Sequence, residues 1–200
     1  MTFKERFYKA VWFVGITAFY VLGFFALNWW TSFRLHRHTL ILPLEERIPF
    51  VPWMIFAYLF VYGFFIAAYL IIQDLNFFKK LVKTFTVVIL LNFLFFLLFP
   101  VEYVLRAPVG FNNGLIESIV AFYYWLDLPY NCFPSMHVSS SFFMAFVLDR
   151  YQKGLGKFLI PLAALVAVSV VLVKQHYIAD VVAGFLLAWG VFYKGFRNPS

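Results

Sequence analysis

His176 and Asp180 stand four residues apart in the stretch VKQHYIADVVAG, within a chain otherwise rich in Phe, Leu and Val. At the start of a helix that spacing puts both side chains on one face, within hydrogen-bonding reach. A carboxylate so placed holds one ring nitrogen protonated and leaves the other free as a nucleophile, or stabilises the ring once it is positive. A structural polar pair inside a helix bundle has the same spacing, so both readings stand. His137 follows Pro134 and Ser135 in YNCFPSMHVSSS. Proline suits the first turn of a helix, where its missing N–H is no loss. The free backbone N–H groups there favour an anion such as phosphate, to which Ser135 adds a hydroxyl. An ordinary helix start explains Pro134 and Ser135 equally well, but it does not explain His137. Arg106, in FPVEYVLRAP, and Lys174 can snorkel to an interface or end a helix. Beside two histidines and a helix N-terminus, the same two cations would bind a phosphoryl group and stabilise its charge in a transition state. His137, His176 and Asp180 would also make a three-ligand metal site, which two nearby cations oppose.

The elements that must position these residues are membrane helices. Of 200 residues 64% are hydrophobic, 24% aromatic and only 12% charged, and the mean hydropathy is +0.86. Such values lie far from those of soluble domains. Apolar runs at 11–30, 51–73, 84–99, 135–148, 158–173 and 177–193 predict six helices. Period-2 alternation is absent, so a barrel is not expected. The fold class expected is an all-α integral membrane protein, a bundle of six transmembrane helices forming one domain over 1–200. The first run is too long for a signal peptide and no A-x-A site follows it, so it reads as a retained span.

A net charge of +7 would suggest nucleic acid in a soluble protein. Here the basic residues gather between apolar runs and set orientation instead, so no nucleic-acid partner is expected. With the N-terminus inside, about 11 Lys and Arg fall on the cytoplasmic side and about 5 outside. Both termini are then cytoplasmic, in a plasma (inner) membrane. The long connection 100–134 and the VKQHY junction share the outer face. Within that connection Gly110, Asn112, Asn113 and Gly114 mark a turn. LIESIVAFYYWLD follows it and suits an interfacial helix with its aromatics at headgroup level.

Other polar residues read more plainly. His36 and His38 face headgroups or water, and Glu102, Glu117 and Asp127 are solvated or face headgroups. Ser139, Ser140 and Ser141 pack between helices, as do Ala179, Ala183 and Gly184. Cys132 is the only cysteine, which excludes an internal disulfide and any multi-cysteine metal site, and it reads as a small hydrophobe.

PSMH at 134–137 and HYIAD at 176–180 followed by VVAG, with an arginine shortly before a proline upstream, resemble the second, third and first motifs of the PAP2 (type 2 phosphatidic acid phosphatase) superfamily. The KQHYIAD form looks most like the branch of inositol phosphorylceramide synthases and related phosphotransferases. The resemblance covers about 99–184. It implies the superfamily's six-helix bundle with its site at the outer face. It further implies that His176 attacks phosphorus to form a phosphohistidine, with Asp180 orienting it. His137 would protonate the leaving alcohol and then deprotonate the acceptor, Ser135 and Arg106 would bind phosphate, and no metal or other cofactor would be needed. The sequence departs from the pattern where the first-motif lysine falls on Phe99, where Ala107 separates Arg106 from Pro108, and where the third-motif arginine falls on Val170. Lys174 is the candidate replacement.

The function expected is hydrolysis of a lipid phosphate, such as phosphatidic acid or a prenyl phosphate, with the bilayer and its lipid as partners. Transfer of a lipid headgroup is the alternative, and a transporter or structural bundle is the non-enzymatic one.

Overall fold

The computed structural model describes residues 1–112 and 114–197; Asn113, one of the four turn residues named above, lies outside them. Helix α1 runs Phe3–Ser32, started by a capping box in which Thr2 and Glu5 satisfy each other's backbone N–H groups. A 3₁₀ turn at Pro52–Met54 leads into α2 (Ile55–Tyr58) and α3 (Phe60–Ile71), one nearly continuous rod. There follow α4 (Leu75–Leu98), α5 (Leu115–Leu126), α6 (Met136–Tyr151), α7 (Gly156–Leu172) and α8 (Ile178–Phe196). Among the described residues there is no strand, only an isolated parallel bridge between His38 and Val101.

The six expected helices are present, with revised boundaries. Helix α4 begins nine residues earlier than the apolar run, at Leu75, because Asp74 caps it by accepting from the Phe77 N–H at 2.6 Å. Lys79, Lys80 and Lys83 therefore lie on its first turns rather than in a connection. Among the described residues, four helical stretches, Phe3–Ser32, Pro52–Ile71, Leu75–Leu98 and Ile178–Phe196, are long and apolar enough to cross a membrane. Helices α6 and α7, of 16 and 17 residues, fall short of the ~20 that a full span needs.

Helix α6 is the axis of the bundle. It carries small or apolar residues on every side and is buried almost throughout, against α8 and α7 chiefly and α3 and α4 as well. Helix α1 packs along α4 and buries only Lys9, Ile16, Asn28 and Thr31. It meets α3 through Phe13–Tyr69 and Tyr20–Phe65, with ring centroids 4.7 and 5.4 Å apart. Past Tyr20 the two helices part around a cavity of about 240 Å³, lined by Val21, Phe24 and Phe25 on one side and Tyr58, Val61 and Tyr62 on the other. Helix α5 closes one end with Tyr123, Leu126 and Asp127, and His137 reaches the wall from α6.

Candidate active site

The turn from α7 to α8 places the imidazole of His176. The carbonyl of Val170 accepts from both the Gln175 and His176 N–H groups, at 2.9 and 3.2 Å. Lys174 takes a left-handed conformation, φ 56°, to reverse the chain in so few residues. Helix α8 starts at Ile178, so His176 lies just outside it. The pairing with Asp180 is thus a capping arrangement and not the stacking of two residues on a helical face. Asp180, in the first turn, accepts on one oxygen from the Tyr177 N–H at 2.9 Å and faces His176 Nδ1 at 3.2 Å.

The second histidine arrives from α6. Ser135 caps that helix, its hydroxyl accepting from the Val138 N–H at 3.4 Å. Pro134 therefore precedes the cap and does not occupy the first turn. The Ser135 N–H donates to the Asp180 carbonyl at 3.0 Å, so the starts of α6 and α8 are joined by a backbone bond. Gly184, one turn further along α8, leaves room for this: a Cβ there would stand 2.7 Å from the Ser135 carbonyl oxygen. His137 then meets His176, Nδ1 to Nε2 at 3.4 Å, under the ring of Tyr58 at a centroid distance of 4.5 Å.

The network assigns the tautomers. Asp180 accepts, so His176 carries its proton on Nδ1; its Nε2 is then a lone pair toward which His137 Nδ1–H points. His137 is 8%, His176 6% and Asp180 0% exposed. Burial lowers the pKa of His176 from the ordinary imidazole value, and the Arg106 charge acts the same way, so the ring is neutral at pH 7. A neutral imidazole with one oriented nitrogen is a nucleophile; a second imidazole beside it can carry the proton.

Arg106 does not point freely into this space. Its guanidinium donates to the carbonyls of Tyr124 and Asp127 at the end of α5, at 2.9 and 2.6 Å, and to the Gln175 side chain at 2.6 Å. It also lies over the Tyr124 ring at 4.5 Å. A cation at a helix C-terminus is favoured by the dipole, and here it fastens α5 to the His176 turn. Lys174 donates from Nζ to the Glu45 carbonyl at 3.2 Å. Burial lowers its pKa and nearby Glu45 opposes that shift. Among the described residues, neither cation is in the wall of the pocket over the histidines, which holds about 10 Å³ of free space. That is room for about one water.

Two residues of that region, Asp127 and Glu102, read differently in three dimensions than in the sequence, while Cys132 is the buried small hydrophobe expected, packed with Val101, Tyr103 and Tyr177. Asp127 lines both the histidine pocket and the apolar cavity. Burial pushes its carboxyl up to about 7 against the pull of Arg106. Cys132 lies in the pocket wall. Glu102 is paired with Arg37 at 2.7 Å. Glu45, buried at 2% exposure, carries no local motif; its one signal in the sequence is the acidic pair Glu45 and Glu46 in an otherwise apolar and basic connection. As for metals, Cys132, His176 and Asp180 each offer a buried ligand atom, all within 4.8 Å of one another. Tetrahedral zinc ligands at about 2.0–2.3 Å stand only about 3.3–3.8 Å apart, so this trio would have to contract to hold one ion.

Residues 106–198 match the family model described as the PAP2 superfamily. The matched span begins at Arg106 and takes in His137, His176 and Asp180; Glu45 and the first four helices lie outside it. No curated protein and no solved structure matches the chain.

Proposed function

We propose that this chain is a PAP2-type integral membrane phosphatase that hydrolyses a lipid phosphate through a phosphohistidine. The observation that carries the reading is the imidazole of His176 held between Asp180 at 3.2 Å and His137 at 3.4 Å, beside an apolar cavity whose wall includes His137. In the first step His137 takes the acidic proton of the phosphate monoester and so acts as an imidazolium; His176 Nε2 then bonds to phosphorus as the P–O bond to the alcohol breaks, and His137 gives that proton to the alcohol oxygen and is left neutral. In the second, His137 takes a proton from water, whose oxygen attacks phosphorus and releases phosphate from Nε2. Asp180 holds Nδ1–H throughout and stabilises the charge that develops on the ring. Ser135 and Arg106 balance the phosphoryl oxygens, Arg106 after giving up its one bond to Gln175. Lys174 stays a candidate third contact. No metal takes part.

The bundle spans the bilayer six times, α6 and α7 completed by their flanks, with both termini cytoplasmic. Helix α5 lies in the outer interface, and the histidines face outward in a plasma membrane. The substrate's hydrocarbon enters sideways between α1 and α3, where the exposed Val21, Phe25 and Tyr62 border the cavity. Hydrolysis is placed ahead of headgroup transfer because so small a chain has few elements outside the bundle with which to close the site against water.

Purified protein is to be incubated with phosphatidic acid, lysophosphatidic acid, a prenyl phosphate and glycerol 3-phosphate. Free phosphate and new phospholipid are measured together, with and without chelator. The expected result is free phosphate from at least one lipid in excess of glycerol 3-phosphate, unchanged by chelator and reduced more than 10³-fold in His176→Ala. New phospholipid as the main product would replace the phosphatase with a transferase. No turnover of either kind would remove the enzymatic reading.

A further inference from the structure

Glu45 is a buried carboxylate that the reaction above does not use. It sits in a 3₁₀ turn, Glu45–Arg47, of the connection between α1 and the α2–α3 rod, 133 positions before the residue it serves. One carboxylate oxygen accepts from the Ile178 N–H at 2.6 Å and the other from the Leu42 N–H at 3.2 Å. Its own carbonyl accepts from the Lys174 ammonium at 3.2 Å. Burying a carboxylate is costly unless hydrogen bonds and charge offset it; here the first amide of α8, the positive end of that helix and the Lys174 cation all do.

The sequence of α8 explains why help from outside is needed. The residue before the helix is Tyr177, which lacks the short oxygen-bearing side chain that caps a helix from within. Asp180 satisfies the Tyr177 amide with the oxygen that also faces His176. The next amide, Ile178, falls to Glu45. Asp180 is the only acidic side chain in the first turn of α8, and among the described residues its other carboxylate oxygen has no partner; if Glu45 let go, the Ile178 amide would draw that oxygen toward itself and turn the carboxylate away from His176.

The same connection is fastened at three further points. Val51 N–H donates to the Leu172 carbonyl at the end of α7 at 3.0 Å, and His38 exchanges backbone bonds with Pro100 and Glu102, both at 2.9 Å. Arg37 pairs with Glu102 at 2.7 Å. The segment 37–51 thus ties the chain leading to Arg106 to the turn that carries His176.

We infer that Glu45 is a positioning residue: its carboxylate caps α8 from the far connection, leaving Asp180 free to orient His176. The kinetic part of this inference rests on the phosphatase reading; the capping part does not. Misplacing a nucleophile by about 1 Å can cost on the order of 10²-fold in rate.

Full-length wild type, Glu45→Ala and Glu45→Gln are compared in two measurements. Glutamine keeps the acceptor oxygen for Ile178 and removes the charge, so it separates capping from electrostatics. Hydrogen exchange over peptides covering 177–181 should speed up at least tenfold in Glu45→Ala and stay near wild type in Glu45→Gln. On the lipid phosphate that wild type turns over best, kcat should fall ten- to hundredfold in Glu45→Ala with KM within about twofold, and Glu45→Gln should recover to within about threefold. A residue that merely holds the fold together would lower the yield of folded protein and leave kcat per folded molecule alone. Unchanged exchange in Glu45→Ala, or an unchanged kcat in that variant, would overturn the proposal, as would a glutamine variant as damaged as the alanine one. Should wild type turn over nothing, the phosphatase reading fails while the exchange result still decides whether Glu45 caps α8.

Discussion

Asp127 shows how one side chain near the histidines can set a pH dependence. It borders both the histidine pocket and the apolar cavity, and burial pushes its carboxyl up to about 7 while Arg106 pulls it back. The charged and titratable groups facing this region are Arg106 from the chain before α5 and the imidazoles of His137 from α6 and His176 before α8; Asn28 of α1 donates to the Asp127 carboxylate at 3.4 Å. Because the pKa is raised, the carboxyl is neutral below about 7 and charged above it. A charged Asp127 repels an incoming phosphoryl group, so affinity should weaken as pH rises. KM for the lipid phosphate should be three- to tenfold higher at pH 8.5 than at pH 6, and Asp127→Asn should flatten most of that slope. An identical slope in the variant would show that the substrate's own ionisation causes it. In the sequence Asp127 follows an aromatic stretch and stands two residues before a proline, a setting that suggests water or headgroups. What overrides that reading is the Arg106 guanidinium, which draws the Tyr124 and Asp127 carbonyls, and with them this residue, over the bundle.

At the scale of elements, the close approach of α6 and α8 builds the site. The Ser135 N–H to Asp180 carbonyl bond needs Gly184, whose added Cβ would lie 2.7 Å from the Ser135 oxygen and 3.2 Å from the Val138 Cβ. In an open helix Gly→Ala would stabilise by about 1 kcal/mol. Gly184→Ala should instead destabilise by about 1–3 kcal/mol and lower kcat at least tenfold by parting the histidines. Gly190→Ala, on the same helix with nothing within 4 Å of its added Cβ, should do neither. Thermal unfolding in detergent together with kcat distinguishes them, and equal effects at the two positions would refute the argument. Helix number and order were legible because 3.6-residue apolar runs are local. The early start of α4 was not, since Asp74 caps a stretch whose lysines look like a connection. Nor was the geometry of His176 and Asp180: their spacing suited a helical face, and the tight turn with Lys174 at positive φ placed His176 ahead of the helix instead. Glu45 was illegible for a different reason, its partner being the far Ile178 amide.

The whole molecule presents an apolar exterior in which α1 exposes Val14, Leu22 and Trp29 and α4 exposes Leu90 and Leu94, a surface suited to lipid. Polar groups gather at one end of the buried α6 axis, where the 37–51 strap, the α5 helix and the histidine-bearing starts of α6 and α8 converge. The apolar cavity opens between α1 and α3 and has His137 in its wall, the route by which the proposed substrate's hydrocarbon and phosphate would reach the histidines without crossing the bundle. Everything in this arrangement turns on His176 becoming covalently phosphorylated. The direct test is to mix the protein with ³²P-labelled lipid phosphate, quench within the first turnover, and map the label. The account predicts label on His176, stable to base and labile to acid as a phosphoramidate is, and absent from His176→Ala. Label on any other residue, or lipid phosphate hydrolysis that survives in His176→Ala, would contradict it.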